Sequence, residues 1–232
     1  HGKPRQAREM RDLFAGDGGH PALFPSSSVV DTDRSSLFRR TRASGADSPG
    51  GGAGWVTMDA IEVREGRPAD ADFVRRSLMD SMAGTAVAGH GELIDAMRLP
   101  ALVAWIDDEP VGHLTYRPSA AAPSPPPDSS PPGWEVVTLH AARLGRGVGA
   151  ALMAALLDRA RQAGAARVWL ITTNDNTRAL RFYQRLGFDL IRLDRDAVTE
   201  ARRRLKPTIP THSDGIPIRH ELELEWRPGD PV

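Results

Sequence analysis

The sequence predicts an α/β domain in which strands and helices alternate. Residues 134–141 are rich in β-branched and aromatic side chains, and residues 148–163 carry an apolar face at helical spacing. A second strand and a second helix follow within residues 167–188. Such alternation is typical of a sheet covered by helices, so the predicted fold class is α/β, in the broad sense that includes α+β.

The composition favours one globular domain over a membrane protein or a nucleic-acid-binding protein. The 232 residues are 40% apolar, their formal net charge is zero, and no apolar run approaches the length of a membrane span. The absence of cysteine excludes disulfides, thiolate metal sites and a cysteine-linked intermediate, and it fits a cytoplasmic location. The seven histidines form no helical pair and no metal-ligand cluster, so no metal is predicted.

Residues 1–57 differ in composition from the rest of the chain. They are rich in Gly, Ser, Pro, Asp and Arg and have no sustained apolar periodicity, so they cannot bury enough surface to offset the entropy of ordering. We interpret them as a disordered or non-native N-terminal extension. Residues 58–232 are predicted to form the domain.

The first elements of this domain are short and are bounded by turn-forming residues. In order, they are a strand over 60–64, a helix over 68–79, a second, shorter helix over 89–98, and a hairpin of strands over 101–106 and 111–117. Pro68 is suited to a first helical turn. The Pro- and Ser-rich residues 118–133 are predicted to form a loop, either a solvated insertion, which we favour, or an active-site flap.

A glycine-rich turn, Leu144-Gly145-Arg146-Gly147-Val148-Gly149-Ala150, connects the strand over 134–141 to its helix. Glycines let a ligand approach the backbone, and the free N–H groups of a first helical turn attract negative charge, so this turn is a candidate phosphate site. It lacks the Gly-Lys-Ser/Thr ending of a P-loop. It also lacks the acidic residue that a dinucleotide-binding fingerprint requires near Leu170.

The strand over 167–173 leads into a second motif within residues 174–188. Asn174, Asp175 or Asn176 can cap the helix that follows, and Gly187 lies where a left-handed C-cap is expected. The remaining predicted elements are a strand over 189–193, a helix over 196–205, a loop over 206–217 and a strand over 218–226. In the last strand apolar residues alternate with three glutamates, for which we favour a solvated face over a row that attracts a cationic amine: Glu221, Glu223 and Glu225.

The glycine turn followed by Asn176-x-x-Ala179-x-x-Phe182-Tyr183-x-x-x-Gly187-Phe188 resembles the GNAT acetyltransferase superfamily, from about residue 61 to about residue 226. The resemblance implies a twisted mixed sheet with helices on both faces and two splayed central strands. The turn would bind the pyrophosphate of acetyl-CoA, and the pantetheine arm would lie in the gap. The acetyl-CoA-binding residues implied in this way are Leu139, Ala141, Arg146, Gly147, Val148, Gly149, Ala150, Asn176 and Tyr183. For Asn176, helix capping alone is the equal alternative.

The family resemblance also implies acetyl transfer to a primary amine, and the absence of a cysteine nucleophile predicts direct transfer in a ternary complex. Tyr183 is predicted to protonate the departing thiolate, because a phenol has a pKa only about 1.5 units above that of a thiol. The alternative is that Tyr183 only packs its ring and bonds the CoA arm. The resemblance implies a carboxylate base on the strand at the splay, so Glu135 is predicted to be the base, with a solvent-facing strand end as the alternative. His140, on the opposite face by strand alternation, ranks second as base, followed by His113; water is a further option.

The predicted partners are a small-molecule or peptide amine as acceptor and a second copy in a homodimer, with no nucleic acid and no membrane. A basic helix face explains Arg202, Arg203 and Arg204 better than nucleic-acid binding does, because aromatic residues for base stacking are scarce around them. The alternative function is a non-catalytic acyl-CoA-binding module that acts as a sensor or scaffold.

Overall fold

A computed structural model of the protein describes residues 61–118, 133–142 and 146–229. The predicted extension over 1–57, the predicted loop between the strands at 118 and 133, and Gly145 lie outside the described residues. The strands are β1 (Glu62–Glu65), β2 (Ala86–Gly89), β3 (Glu92–Asp95), β4 (Ala101–Ile106), β5 (Glu109–Pro118), β6 (Gly133–Ala141), β7 (Arg167–Thr173), β8 (Asp189–Asp194), β9 (His212–Ser213), β10 (Ile216–Pro217) and β11 (Glu221–Trp226). The α-helices are α1 (Ala71–Met82), α2 (Val148–Gln162), α3 (Thr177–Arg185) and α4 (Ala197–Arg204).

Seven strands form one mixed sheet in the order β1-β4-β5-β6-β7-β11-β8. Only the β6–β7 pair of this sheet is parallel among the described strands. Helix α1 packs on one face, where Leu78 meets Val103, and α2 packs on the other, where Leu152 joins Leu102 and Leu114 in the main core. The predicted α/β class, with a mixed sheet and helices on both faces, is confirmed.

The two central strands separate part of the way along their length. Strand β6 pairs with β7 from Gly133 opposite Arg167 to Val136 opposite Leu170, and no register continues beyond that point between the two described strands. The separation places a gap at the middle of the sheet, as the predicted splay requires. Among the described residues, no helix is both long enough and apolar enough to cross a membrane.

The prediction of a helix over residues 89–98 is wrong. Strands β2 and β3 form an antiparallel hairpin there, followed by a short 3-10 helix, Ala96–Arg98. The two residues between the strands, His90 and Gly91, have φ values of 47° and 73°. A two-residue turn with positive φ at both positions matches the twist of paired strands and closes a hairpin, which prevents a helix from running through it. The loop predicted over 206–217 likewise contains a small hairpin, β9–β10.

Gly112 on β5 permits the close approach of helix α2 to the sheet. A Cβ at this position would lie 2.6 Å from Cγ1 of Val148 and 2.7 Å from the carbonyl oxygen of His140. Because the second atom belongs to the backbone of β6, it cannot rotate away. Gly112→Ala is therefore expected to lower the free energy of unfolding by about 1–3 kcal/mol, measured by denaturant titration.

Gly66→Ala is the matched control for this prediction. The added Cβ would lie 3.1 Å from Cβ of Ala101 and 3.4 Å from the carbonyl oxygen of that residue. A smaller loss is expected because a shift of a few tenths of an ångström relieves the contact. Equal losses in the two variants would contradict the prediction.

Candidate active site

A cavity opens where β6 and β7 diverge, and it continues beneath the β2–β3 hairpin. Its volume is about 80 Å³. Strands β6 and β7 form two walls, and α3, α4 and the hairpin close the others. The lining residues are Met82, Val87, Ala88, Val136, Val137, Thr138, Leu139, Leu170, Ile171, Thr172, Thr173, Asn176, Ala179, Tyr183, Val198, Ala201, Ile209 and Glu221.

Tyr183 lies on the wall that α3 contributes to the cavity. Its side chain is only 6% exposed, and its ring contacts the rings of Phe182 and Phe188 at centroid distances of 5.0 and 5.7 Å. Burial raises the pKa of Tyr183 well above its ordinary value, so the phenol holds its proton at neutral pH. The gap between this pKa and that of a thiol is therefore wider than predicted from the unperturbed values.

Asn176 both caps helix α3 and lines the cavity. Its side-chain oxygen accepts a hydrogen bond from the N–H of Ala179 at 3.1 Å, as a residue at an N-cap is expected to do. Gly187, which follows the end of the same helix, has a φ of 86°. These two positions fix both ends of α3 and therefore the position of Tyr183.

The N-terminus of helix α2 lies beside this cavity. Gly147 has a φ of 76° and a ψ of 5°, and it precedes three buried residues of the first turn, Val148, Gly149 and Ala150. A Cβ at Gly149 would lie 3.6 Å from Cζ of Phe182 and 4.0 Å from Leu139, which itself lines the cavity. The first N–H groups of an α-helix have no partner within the helix, so this end of α2 offers donors to an anion.

Two further predicted CoA-binding residues flank this turn. Ala141 is buried at the end of β6, and its neighbour Ala142 donates its N–H to the carbonyl oxygen of Val111 at 2.8 Å. Arg146 precedes Gly147 and is exposed. The structure thus brings Leu139, Asn176 and Tyr183 to one cavity and places the helix N-terminus next to it.

Glu135 is buried on β6 and paired with an arginine. Its carboxylate accepts hydrogen bonds from Nε and Nη2 of Arg117 at 2.8 and 2.5 Å, and Arg117 also pairs with Glu92 at 2.7 Å. Burial raises the pKa of Glu135 above its ordinary value, although the Arg117 charge opposes the shift. The alternative of a solvent-facing strand end is wrong, since only 3% of Glu135 is exposed. Glu135 is not among the residues that line the cavity.

A β-bulge at Val137 changes which residues share a face of β6. Thr115 lies opposite Thr138, but the next residue of β5 lies opposite Val136, so the register skips Val137. His113, Thr115 and Arg117 of β5 lie on one face of the sheet. The residues of β6 that lie opposite them share that face: His140, Thr138 and Glu135. The prediction that His140 points away from Glu135 is therefore wrong, because strict alternation does not pass through a bulge.

The two histidines on this face lie outside the cavity lining. Their rings stack at a centroid distance of 5.8 Å, and the ring of Phe73 packs on His113 at 6.4 Å. Burial lowers the pKa of His113 to about 3, so its ring is neutral. Burial also lowers the pKa of His140, against the opposing charge of Asp80.

The three glutamates of β11 are buried, so the prediction that they form a solvated face is wrong. Their exposed fractions are 4% for Glu221, 7% for Glu223 and 6% for Glu225. Arg167, itself buried, donates from Nη1 to Glu225 at 2.8 Å and to Glu223 at 3.2 Å. The opposite face of β11 packs into the main core, so both faces of this strand are covered. Alternation alone gave no sign of the arginine that makes this burial possible.

The structure also brings together three side chains that the sequence keeps far apart. Ligand atoms of His90, Asp194 and Glu221 all lie within 4.8 Å of one another, although no cluster of metal ligands was predicted around the histidines. The guanidinium of Arg192 forms an ion pair with Asp194 and lies 3.3 Å from Nδ1 of His90. The positive charge of Arg192 therefore already balances part of the negative charge in this group.

The comparisons with known proteins agree with this geometry. A model of the acetyltransferase (GNAT) family matches residues 74–188. The chain is 43% identical over 91 residues to the uncharacterised protein YxbD of Bacillus subtilis (strain 168), a match that covers 39% of this chain and 57% of that protein. The chain therefore spans little more than half the length of this curated relative.

Two solved structures have a similar fold. One is the Arabidopsis thaliana NAA60 structure in complex with a bisubstrate analogue, at 16% identity and a TM-score of 0.51, covering 74% of this chain and 100% of that one. The other is a GCN5-related N-acetyltransferase from Kribbella flavida, at 22% identity and a TM-score of 0.50, covering 72% of this chain and 98% of that one. They show the fold alone, and the family match over residues 74–188 shows that the chain carries an acetyltransferase domain of the GNAT family.

Proposed function

We propose that this protein transfers the acetyl group of acetyl-CoA to a primary amine by direct attack in a ternary complex. The observation that carries the proposal is the shared cavity at the β6–β7 splay. It is lined by Tyr183 and Leu139, and the N-terminus of α2 lies beside it. If the pyrophosphate of acetyl-CoA binds at that N-terminus, the acyl-bearing arm of the molecule extends between the two strands.

The proposed acetyl-CoA site uses the backbone more than the side chains. The N–H groups of Val148, Gly149 and Ala150 bind the pyrophosphate, with Gly147 providing the left-handed turn and Arg146 a positive charge. The pantetheine arm follows β6 past Leu139 and Ala141. Asn176 is near enough to the same cavity to add a hydrogen bond to the arm.

In the proposed reaction the neutral amine nitrogen attacks the thioester carbonyl carbon, and a C–N bond forms. The oxyanion needs an N–H donor, for which Val137 is suited because the bulge removes it from the strand register and places it on the cavity wall. The C–S bond then breaks, the CoA thiolate takes the phenolic proton of Tyr183, and the proton that the attacking nitrogen loses after the C–N bond forms passes through water to restore the phenol. The chain has no cysteine, so the acetyl group passes to the amine without a cysteine-linked intermediate.

We retain Glu135 as the proposed base that removes the proton from the amine. Because Glu135 lies outside the cavity lining and is held by Arg117, the proton would reach it through a water molecule. His140 is the second candidate. It lies on the same face of β6 and is half-buried rather than fully enclosed. Proton loss to water alone is the third route.

Thiol release from acetyl-CoA with a panel of amines, including peptides, tests the proposed function. We expect saturable release of CoA with at least one class of amine, and calorimetric binding of CoA in the absence of amine. CoA binding without turnover on any amine would instead favour the non-catalytic sensor or scaffold. No heat with CoA or acetyl-CoA would contradict both functions.

The class of acceptor, the assembly and the location belong to the same proposal. A small-molecule or peptide amine fits the chemistry described above. The homodimer and the cytoplasmic location stay predictions from the sequence. Light scattering of the full chain measures the first, and cell fractionation measures the second.

A further inference from the structure

One side of the cavity is apolar except for a single carboxylate. The part beneath the β2–β3 hairpin and against α4 is lined by aliphatic side chains: Met82, Val87, Ala88, Val198, Ala201 and Ile209. Among the described residues, Glu221 is the only acidic or basic side chain that lines the cavity. Aliphatic walls around one charged group are typical of a ligand subsite that fixes the orientation of its ligand.

Glu221 differs from the two other glutamates on its face of β11. Glu223 and Glu225 both pair with Arg167, and each has a second arginine within 3.5 Å. The carboxylate of Glu221 accepts one hydrogen bond, from the backbone N–H of His90 at 3.2 Å. No basic side chain of the described residues lies within 4.0 Å of it. Glu221 is nevertheless only 4% exposed.

A buried carboxylate without a direct ion-pair partner is costly, and proteins normally pair such groups. Burial raises the pKa of Glu221, and the charges of Asp194 and Glu135 add to this shift, while the hydrogen bond from His90 and the charge of Arg192 oppose it. A positively charged ligand that enters the cavity would give Glu221 a direct ion-pair partner. The amine acceptor of the proposed reaction is such a ligand, since a primary amine is an ammonium ion at neutral pH.

We propose that Glu221 binds the ammonium group of the acceptor and that the acceptor is a primary amine with an uncharged, apolar substituent. The inference rests on the proposed function and adds the substrate class to it. The substituent packs against Val87, Ala88 and Ile209, and the ammonium lies in the same cavity as Tyr183. Glu221 is thus an acceptor-binding residue. The ammonium group still loses one proton to the base before its nitrogen attacks the thioester.

Calorimetry on the full chain saturated with CoA tests this inference without requiring turnover. Hexylamine, hexanol and aminohexanoic acid share a chain length and differ in their end groups. We expect hexylamine to bind at least tenfold more tightly than hexanol, which lacks the ammonium, and than aminohexanoic acid, which would bury a second carboxylate in the apolar part. Equal binding of hexylamine and hexanol, or no binding of hexylamine, would overturn the inference.

Glu221→Gln keeps the shape of the side chain and removes its charge. We expect this variant to bind hexylamine about tenfold to a hundredfold more weakly and to keep its affinity for CoA. Glu200→Gln, on the exposed side of α4, is the matched control and is expected to bind both ligands normally. An unchanged affinity for hexylamine in Glu221→Gln would refute the role of Glu221.

The two proposals fail in different ways. If CoA does not bind, or if no amine releases thiol from acetyl-CoA, the proposed function fails. If CoA binds and amines are acetylated but hexylamine shows no dependence on charge or on Glu221, only the acceptor subsite fails. Should Glu221→Gln not fold, the comparison of hexylamine with hexanol on the natural sequence still decides.

Discussion

Tyr183→Phe is expected to lower kcat for acetyl transfer by a factor of about 10² to 10⁴, the range that a positioned general acid contributes. The phenol is buried on the cavity wall, and its raised pKa keeps the proton in place until a strong base forms beside it. The CoA thiolate is such a base only after the C–S bond begins to break. Removal of one oxygen atom therefore affects the reaction far more than ground-state binding, and the affinity for CoA should change little.

Tyr116→Phe provides the matched control, because Tyr116 is the other tyrosine of the chain. It is similarly buried, stacks on Trp134 at a centroid distance of 5.1 Å and does not line the cavity. Thiol release gives kcat, and calorimetry gives the affinity for CoA. If Tyr183→Phe retains kcat within a few-fold of the Tyr116→Phe value, Tyr183 only packs against the CoA arm. The proton must then come from water.

Elements with strong local signals could be predicted from the sequence. The strand over 167–173 has the predicted bounds, and the predicted helix over 148–163 begins at Val148 and ends one residue early, because apolar periodicity and turn residues act within one element. The same holds for α3, where the cap at Asn176 and the positive φ of Gly187 are properties of single residues. The motifs that these elements carry were therefore placed correctly along the chain.

The β2–β3 hairpin was missed because its signal is weak. Each strand has only four residues, and the turn is His90-Gly91 rather than the Asn-Gly or Asp-Gly pair that most strongly indicates a two-residue hairpin. The segment also ends in a short 3-10 helix that begins after Asp95, whose side chain accepts a hydrogen bond from the N–H of Met97. An interpretation based on local composition therefore extended the helix back to Gly89.

The environment of the glutamates depends on residues far away in the chain. Glu225 and its partner Arg167 are 58 positions apart, and the bulge that turns Glu135 toward the face of His140 arises from a single skipped residue, Val137. Neither feature leaves a periodic trace in the sequence. The carboxylate at the cavity wall, Glu221, could for the same reason be predicted only as one member of an alternating row.

Arg167→Met is expected to lower the free energy of unfolding by about 3 kcal/mol at neutral pH. Arg167 is the buried partner of Glu223 and Glu225, and Gly133 makes room for it, since a Cβ there would lie 2.5 Å from Cγ of Arg167. Removal of one member of a buried ion pair leaves uncompensated charge, which costs about 3–5 kcal/mol. The lower value is expected because Arg192 and Arg227 remain near the two carboxylates.

Arg227→Met removes a different partner of the same carboxylate and serves as the control. The Arg227 side chain is 60% exposed, so water screens its charge, and a loss of at most about 1 kcal/mol is expected. Denaturant titration at neutral pH compares the two variants. Similar losses of unfolding free energy in the two variants would contradict the prediction that the buried ion pairs of Arg167 stabilise the fold more than the exposed pair of Arg227.

The pH dependence of this loss separates charge from packing. Burial raises the pKa of Glu225, but the hydrogen bonds from Arg167 and Arg227 outweigh it, so the net shift is downward and Glu225 stabilises the fold less as the pH falls. Without Arg167 burial dominates, the pKa rises, and protonation at acidic pH relieves the uncompensated charge. The difference between Arg167→Met and the natural sequence should therefore shrink as the pH falls from neutral to acidic. A difference that stays constant over this range would assign the loss to packing against Trp169, whose ring centroid lies 5.2 Å from the guanidinium.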